Sequence, residues 1–268
     1  MDTLAQKKRR LEEILRSLGS AAVAFSSGVD STFLLKTAHN VLGDKAIAVT
    51  VSMHSMPERE LNEAKRFCEG NGIKLLLIRH NELAVEGFRE NPENRCYICK
   101  KAIFQKIISC AGDEGLAYVL EGSNLDDEGD YRPGLKAIAE LGIRSPLREA
   151  GLTKADIRAL SKESGLPTWD KPSYACLSTR FPYGETITAE RLSMVEKAEE
   201  YLFKLGIRQA RVRVHKGIAR IEVLKNDFNQ IIGNADDINS YFSGLGFSYT
   251  ALDLGGYKTG SMNKNIRK

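Results

Sequence analysis

No stretch of this chain holds the roughly 20 consecutive apolar residues that a membrane-spanning helix needs, so nothing in it reads as a transmembrane segment. Cysteine is scarce and odd in number, five in all (Cys68, Cys96, Cys99, Cys110 and Cys176), which argues against a disulfide framework and for reduced thiols in a cytoplasmic protein. The positive excess is only +4 and is spread along the chain, too mild to argue for a nucleic-acid partner. A Gly-Lys-Ser/Thr phosphate loop is missing, which removes support for a kinase or GTPase site. The four histidines (His39, His54, His80 and His215) lack the spacing of zinc ligands. Internal repeats and low-complexity tracts are absent too. The segment 1–19 has the stripe of an amphipathic helix (Leu11, Ile14, Leu15, Leu18) rather than the apolar core of a signal peptide. What remains, with 42% hydrophobic and 28% charged residues, is a folded chain of one large or two moderate domains.

The most informative stretch is Ala21-Ala-Val-Ala-Phe-Ser-Ser-Gly-Val-Asp-Ser31. The apolar run Ala21–Phe25 predicts a buried strand, and Leu34, Ala38, Val41 and Leu42 form the stripe of a following helix. Between them lies a polar turn at a helix N-terminus, where unpaired N–H groups and the positive end of the dipole suit an anion. Ser26, Ser27 and Ser31 add hydroxyls, and Gly28 permits close approach. An ordinary strand-to-helix turn often carries Ser and Gly as well. The order Ser-x-Gly-x-Asp-Ser nonetheless resembles the PP-loop of ATP pyrophosphatases, usually Ser-Gly-Gly-x-Asp-Ser, with Ser27 in place of the first glycine. Enzymes with that loop cleave ATP between the α and β phosphates, so the resemblance implies an adenylating enzyme.

Strand-like and helix-like runs alternate up to Leu166: strands at 46–51, 75–78 and 117–121, a helix from Pro57 to Asn71, and a capping box at Thr153–Asp156. This alternation predicts an α/β fold, an open parallel sheet with helices on both faces, over residues 1–166. Residues 167–187, rich in Pro and carrying Cys176, read as a linker and active-site loop. A small α+β domain fills 188–268: a helix over 188–205, a hairpin of 211–215 and 218–224 around Lys216-Gly217, one helix near 227–242 and a strand near 248–252.

Cys96-Tyr97-Ile98-Cys99 is a C-x-x-C pair that can be redox-active, half a zinc site or part of an iron–sulfur site; with Cys176 it can ligate a 4Fe–4S cluster. Cys68 and Cys110 lie in apolar helical runs and read as core residues. The carboxylate-rich run Glu121–Gly134 reads either as a solvated loop or, at a sheet edge, as a holder of Mg²⁺ beside ATP, with Asp30 a further metal or pyrophosphate contact. Arg211, Arg213 and His215 share one strand face, which is either solvated or a clamp for phosphate or carboxylate.

Together these parts resemble the LarE family of ATP-dependent sacrificial sulfur transferases, PP-loop proteins that help make a nickel-pincer nucleotide cofactor. The matching residues are 24–31, the run to Asp130-Tyr131-Arg132-Pro133-Gly134, Ser145-Pro146-Leu147, Trp169-Asp170-Lys171-Pro172, 175–184, Arg211–His215 and 252–257. The resemblance implies that Ser26, Gly28, Asp30 and Ser31 hold ATP phosphates with Mg²⁺, and that Val49, Thr50, Val51 and Gly122 flank the adenosine. Arg211 and Arg213 would meet a substrate phosphate. The substrate it implies is a pyridinium biscarboxylate mononucleotide, whose carboxylate is adenylated before sulfur replaces AMP. Cys176 and Arg180 are the implied catalytic residues. Sulfur comes either sacrificially from Cys176, leaving dehydroalanine, or from a 4Fe–4S cluster on Cys96, Cys99 and Cys176; the presence of all three cysteines favours the cluster. Implied partners are a sulfur donor, other proteins of nickel-pincer biosynthesis and further copies of the chain, with no nucleic acid and no membrane. The competing readings are a transfer-RNA thiolase, an amidotransferase-like ATP pyrophosphatase and a nucleotide- or cluster-binding sensor without turnover.

Overall fold

A computed structural model describes residues 2–127 and 133–258. The chain divides into two compact units, Met1–Glu82 with Asn94–Tyr174, and Leu83–Glu93 with Ala175–Lys268. The junction at 174/175 falls inside the Pro-rich 167–187 segment. Among the described residues no helix is long and apolar enough to cross a membrane.

The first unit runs α1 (Leu4–Leu18), β1 (Ala21–Ala24), α2 (Val29–Leu42), β2 (Ala46–Ser52), α3 (Glu58–Gly70), β3 (Leu75–Arg79), α4 (Arg95–Asp113), β4 (Tyr118–Leu120), α5 (Pro133–Glu140), α6 (Pro146–Glu149) and α7 (Lys154–Glu163). Its four strands are parallel in the order β3-β2-β1-β4. Alternation along the strands divides the core into two layers. Ala21, Val23, Ala46 and Ala48 pack with α1, α2 and α7, while Ala22, Ile47, Val49 and Val51 pack with α4 and Ile138 of α5. A sheet buried on both faces is the α/β architecture expected from alternating elements. Strand order reverses beside β1, so the loops after β1 and β4 face one crevice at the carboxyl ends, the usual ligand position in such sheets.

Local chemistry explains the element ends. Thr153 accepts from the Asp156 N–H at 3.2 Å while the Asp156 carboxylate accepts from the Thr153 N–H at 3.0 Å, closing the capping box of α7. Thr3 and Gln6 do the same for α1.

The second unit holds α8 (Ala189–Lys204), β5 (Ala210–His215), β6 (Ile218–Val223), α9 (Phe228–Gly233), α10 (Ala235–Leu245) and β7 (Tyr249–Leu252). β5 and β6 form an antiparallel hairpin, with β7 parallel to β6. Lys216 and Gly217 both have positive φ (47° and 89°), the geometry of a turn whose twist matches a hairpin. The single helix expected near 227–242 is instead two. Asn234 interrupts it, and its side-chain amide donates to the Gln230 carbonyl at 2.8 Å, taking up an acceptor that α9 leaves open at its end.

Candidate active site

In the first unit, β1 leads directly into the anion loop. Phe25 leaves the strand with its N–H bonded to the Val49 carbonyl at 2.9 Å and its carbonyl accepting from Thr50 Oγ1 at 2.8 Å, so β2 fixes where the loop begins. Ser31 then closes the turn. Its Oγ accepts from the Ser26 N–H at 3.3 Å, lies 3.1 Å from Ser26 Oγ and donates to the Gly28 carbonyl at 3.3 Å. Gly28 is the N-cap of α2 and carries no capping side chain, which leaves the first N–H groups of this 14-residue helix for a ligand. Ser27, in the position of the usual glycine, has φ +53° and is buried. A left-handed conformation costs a non-glycine residue roughly 1–2 kcal/mol.

Gly122, just past β4, packs against this loop. A Cβ there would stand 3.1 Å from the Ser31 N and 3.3 Å from the Asp30 Cβ, so the close approach of strand end and helix start needs glycine. Asp30 pairs with Lys154 at the start of α7, and Asn124 Nδ2 donates to its other oxygen at 3.4 Å. Glu121 is buried and accepts from Ser123 Oγ at 2.7 Å and from Ser145 Oγ. Asp127 accepts from the Asn124 N–H and Asp126 from the Lys154 N–H. The run read either as a solvated loop or as a sheet-edge metal holder is therefore tied, through residue 127, to Asp30, Ser145 and Lys154. Asp130, Tyr131 and Arg132 lie outside the described residues. Val49, Thr50 and Val51 have buried side chains, so any contact they make with a ligand is through main chain.

Cys96 and Cys99 both lie in the first half of α4, where an i, i+3 spacing puts them on one face, and both are half-buried. Arg95 Nη2 stands 3.9 Å from Cys96 Sγ. Cys68 is buried as expected, and burial pushes its thiol up to about 12, which keeps it protonated and inert. Cys110, expected in the core, is half-buried because it sits near the end of α4, three residues before its last.

In the second unit, Cys176 is exposed and precedes a 3-10 turn, Leu177–Arg180. Its carbonyl accepts from the Thr179 N–H (3.0 Å), Thr179 Oγ1 (2.9 Å) and Arg180 Nη1 (3.1 Å). The backbone under the thiol is therefore pinned. Arg180 is itself buried: Nε and Nη2 donate to Glu199 of α8 at 2.7 and 2.8 Å, and Nη1 also reaches the Ala175 carbonyl at 2.8 Å. The guanidinium thus holds the turn from beneath. Segment 83–93 braces the continuation, with Asn91 Nδ2 donating to the Pro182 carbonyl at 2.7 Å, the Gly184 N–H to the Asn91 carbonyl at 2.9 Å and the Ile187 N–H to the Arg89 carbonyl at 2.8 Å.

Arg211 and Arg213, on β5, are buried rather than solvated. Arg211 pairs in register with Glu222 on β6, and its guanidinium carbon lies 5.5 Å from the Tyr257 ring centroid. Arg213 donates through Nε to Glu222 at 3.1 Å and through Nη1 to the Thr179 carbonyl at 2.5 Å. Burial, and next the charge of Arg180, lower Arg211 to about 10, which leaves it protonated at neutral pH. Arg180, Arg211 and Arg213 are thus buried guanidiniums of one unit, with Glu199 bonded to Arg180 and Glu222 to Arg213. His215 is held below the usual imidazole value by burial and then by Arg220.

Among the described residues no three His, Cys, Asp or Glu side chains gather as a metal-holding group. Sequence reasoning gave no site role to Lys154, Glu199 or Glu222 and named Lys171 only within the Trp169–Pro172 run; each meets a site or loop residue.

No protein-family model matches the chain. It is 42% identical over 267 residues to an uncharacterised protein of Synechocystis, covering 99% of this chain and all of that one. It is 40% identical over 269 residues to pyridinium-3,5-bisthiocarboxylic acid mononucleotide synthase of Lactiplantibacillus plantarum, covering all of this chain and 98% of that enzyme. A more distant similarity, 28% over 162 residues, links 56% of the chain to 38% of argininosuccinate synthase of Haloarcula marismortui.

Proposed function

The chain belongs to the LarE family of pyridinium-3,5-bisthiocarboxylic acid mononucleotide synthases, and on that premise we propose that it adenylates a carboxylate of pyridinium-3,5-biscarboxylic acid mononucleotide and replaces AMP with sulfur. The observation that carries this reading is the Ser26–Ser31 loop, an uncapped helix start with two convergent hydroxyls beside Gly122. In the first step a carboxylate oxygen attacks the α-phosphorus and pyrophosphate leaves. The Gly28–Ser31 N–H groups and the hydroxyls of Ser26 and Ser31 hold the phosphates and take up charge as it develops on pyrophosphate. The main chain of Val49–Val51, with Gly122, flanks the adenosine. In the second step sulfur attacks the acyl carbon and AMP departs, a far better leaving group than oxide.

Arg211 and Arg213 bind the phosphate of the substrate in this reading, and Arg180 acts as a positioning residue for Cys176 rather than as a group that touches substrate. The Asp30 carboxylate, a hard oxygen donor at the loop, fits Mg²⁺ held jointly with ATP phosphates; the ion would add Lewis-acid stabilisation of the leaving pyrophosphate. For a 4Fe–4S cluster the donor set fits in type and number: two thiols on one helix face and a third, exposed, at 176. Such a cluster would supply sulfide as the transferred sulfur, replenished by a separate donor protein in the cytoplasm. A second reading is favoured by the exposure of Cys176. There the Cys176 thiolate attacks the acyl adenylate and AMP leaves. Loss of the Cα proton then breaks Cβ–S, giving the thiocarboxylate and dehydroalanine.

The function is tested by incubating the protein with ATP and the biscarboxylate mononucleotide. AMP and pyrophosphate should appear only when both are present, together with a thiocarboxylate product. Pyrophosphate without any carboxylate substrate, or no sulfur in the product, overturns the reading. The iron content of anaerobically purified protein and the intact mass after turnover then choose the sulfur source. Bound iron with Cys176 intact supports the cluster, and dehydroalanine at 176 supports sacrifice.

Gly122→Ala gives a further check. The added methyl meets the Ser31 amide at 3.1 Å, and overpacking of this kind costs about 1–3 kcal/mol, which predicts roughly a tenfold loss of affinity for a non-hydrolysable ATP analogue. Calorimetric titration measures it; unchanged affinity would mean that the nucleotide does not depend on this contact.

A further inference from the structure

Ser27 holds a left-handed backbone without being glycine, and such a conformation persists only where its surroundings over-determine it. Lys171, from the Trp169–Pro172 segment, supplies the restraint. Its ammonium donates to the Ser27 carbonyl at 2.9 Å, lies 3.4 Å from Ser27 Oγ and pairs with Glu63 of α3. Ser27 Oγ in turn donates to the Glu60 carbonyl of the same helix at 3.1 Å. The lysine side chain is only 12% exposed. Its own backbone is anchored, because Arg158 donates to the Lys171 carbonyl at 2.8 Å and to the Trp169 carbonyl at 2.6 Å.

A trans peptide is planar, with its C=O and N–H pointing in opposite directions. Fixing the Ser27 carbonyl therefore fixes where the Gly28 N–H points. We propose that Lys171 is a positioning residue for the nucleotide: by gripping the Ser27 carbonyl it aims the Gly28 N–H into the anion loop, a task that glycine at position 27 would not require. The assignment rests on the reading of Ser26–Ser31 as the ATP phosphate site. It gives the Trp169–Pro172 segment a role in nucleotide binding, although Lys171 stands 144 residues from Ser27 in the chain.

The test is calorimetric binding of a non-hydrolysable ATP analogue to the full chain, with thermal melting followed in parallel. Lys171→Met should weaken binding by at least about tenfold, the scale of a lost charge-assisted hydrogen bond, and raise KM for ATP but not for the carboxylate substrate. Lys171→Arg, which keeps a cationic donor, should restore most of the affinity. Ser27→Gly/Lys171→Met should bind within about threefold of the parent, because glycine adopts this φ unaided. A double variant as weak as Lys171→Met overturns the proposal, since the ammonium would then be contacting phosphate itself. Full affinity in Lys171→Met overturns it as well. Should that variant fail to fold, the double variant is compared with Ser27→Gly alone: equal affinities support the proposal and a tenfold loss overturns it. Ser31→Ala is the control for the underlying reading. If it too binds at full affinity, the loop is not the nucleotide site, a failure distinct from that of Lys171.

Discussion

Replacing Cys176 by alanine should abolish thiocarboxylate formation, by at least about 10³-fold, the scale on which loss of an essential reacting group is felt. Affinity for an ATP analogue should be unchanged, and pyrophosphate should still form when the carboxylate substrate is added. The split follows from where each function resides. The phosphate loop is built from β1, α2 and Gly122 of the first unit, whereas Cys176 stands exposed on a turn of the second. Alanine keeps the carbonyl that accepts from Thr179 and Arg180, so the donors that pin the turn stay in place. Product followed by mass spectrometry, beside pyrophosphate release, checks the split; sulfur transfer at the parental rate would remove Cys176 from the chemistry. Cys96→Ala and Cys99→Ala separate the two sulfur sources. With a cluster they should fall as far as Cys176→Ala, and with sacrifice they should retain a single turnover.

Glu199→Gln should destabilise the second unit by about 3 kcal/mol, because removing one partner of a buried ion pair strands the other. Arg180 is 1% exposed and gives two hydrogen bonds to Glu199, which also accepts from the Val212 N–H at 2.9 Å. The carboxylate thus joins α8, β5 and the Cys176 turn, so its loss should lower both melting temperature and sulfur transfer. The pH dependence has a definite sign. Burial, the largest influence, pushes the Glu199 carboxyl up. The charge and hydrogen bonds of Arg180, the charge of Arg211 and the Val212 N–H together outweigh it and hold the group below its ordinary value of 4.5. Stability from a depressed carboxyl is complete above its unfolded value and is lost as pH falls through the folded one. The gap between parent and Glu199→Gln should therefore be widest near neutrality and close in acid. Chemical denaturation at pH 7 and in steps below pH 4.5 measures it; a gap independent of pH would mean that the charge of Glu199 is not what stabilises the unit.

The elements most legible in the sequence are those set by short-range rules. The β1–loop–α2 passage, the Thr153 capping box and the Lys216-Gly217 hairpin each rest on neighbours within a few residues. The resemblance to the LarE family was read from short runs as well, and 40% identity over the whole chain shows the membership. What stayed hidden depends on partners far apart. A period of two put Arg211 and Arg213 on one face of β5, and the Lys216-Gly217 turn sets Glu222 opposite Arg211, but nothing local says that Glu222 bonds Arg213 or that Thr179 meets it. The carboxylate that balances Arg180 lies on α8 with no motif around it. Asp30 invited a metal-contact reading, and Lys154, which pairs with it, is 124 residues away. Ser27 is the instructive middle case: its departure from the usual glycine was visible, while its positive φ and the lysine that holds it were not. The break at Asn234 escaped notice because Asn inside an apolar-periodic run is tolerated unless its side chain turns back onto the helix, as it does here.

The central claim is that a carboxylate oxygen of the substrate is passed to AMP before sulfur takes its place. Substrate carrying ¹⁸O in its carboxylates tests this most directly, with the AMP from a turnover analysed by mass spectrometry. Adenylation followed by sulfur attack at the acyl carbon requires one labelled oxygen in the AMP phosphate for each sulfur transferred. AMP free of label, formed alongside thiocarboxylate, would contradict the account.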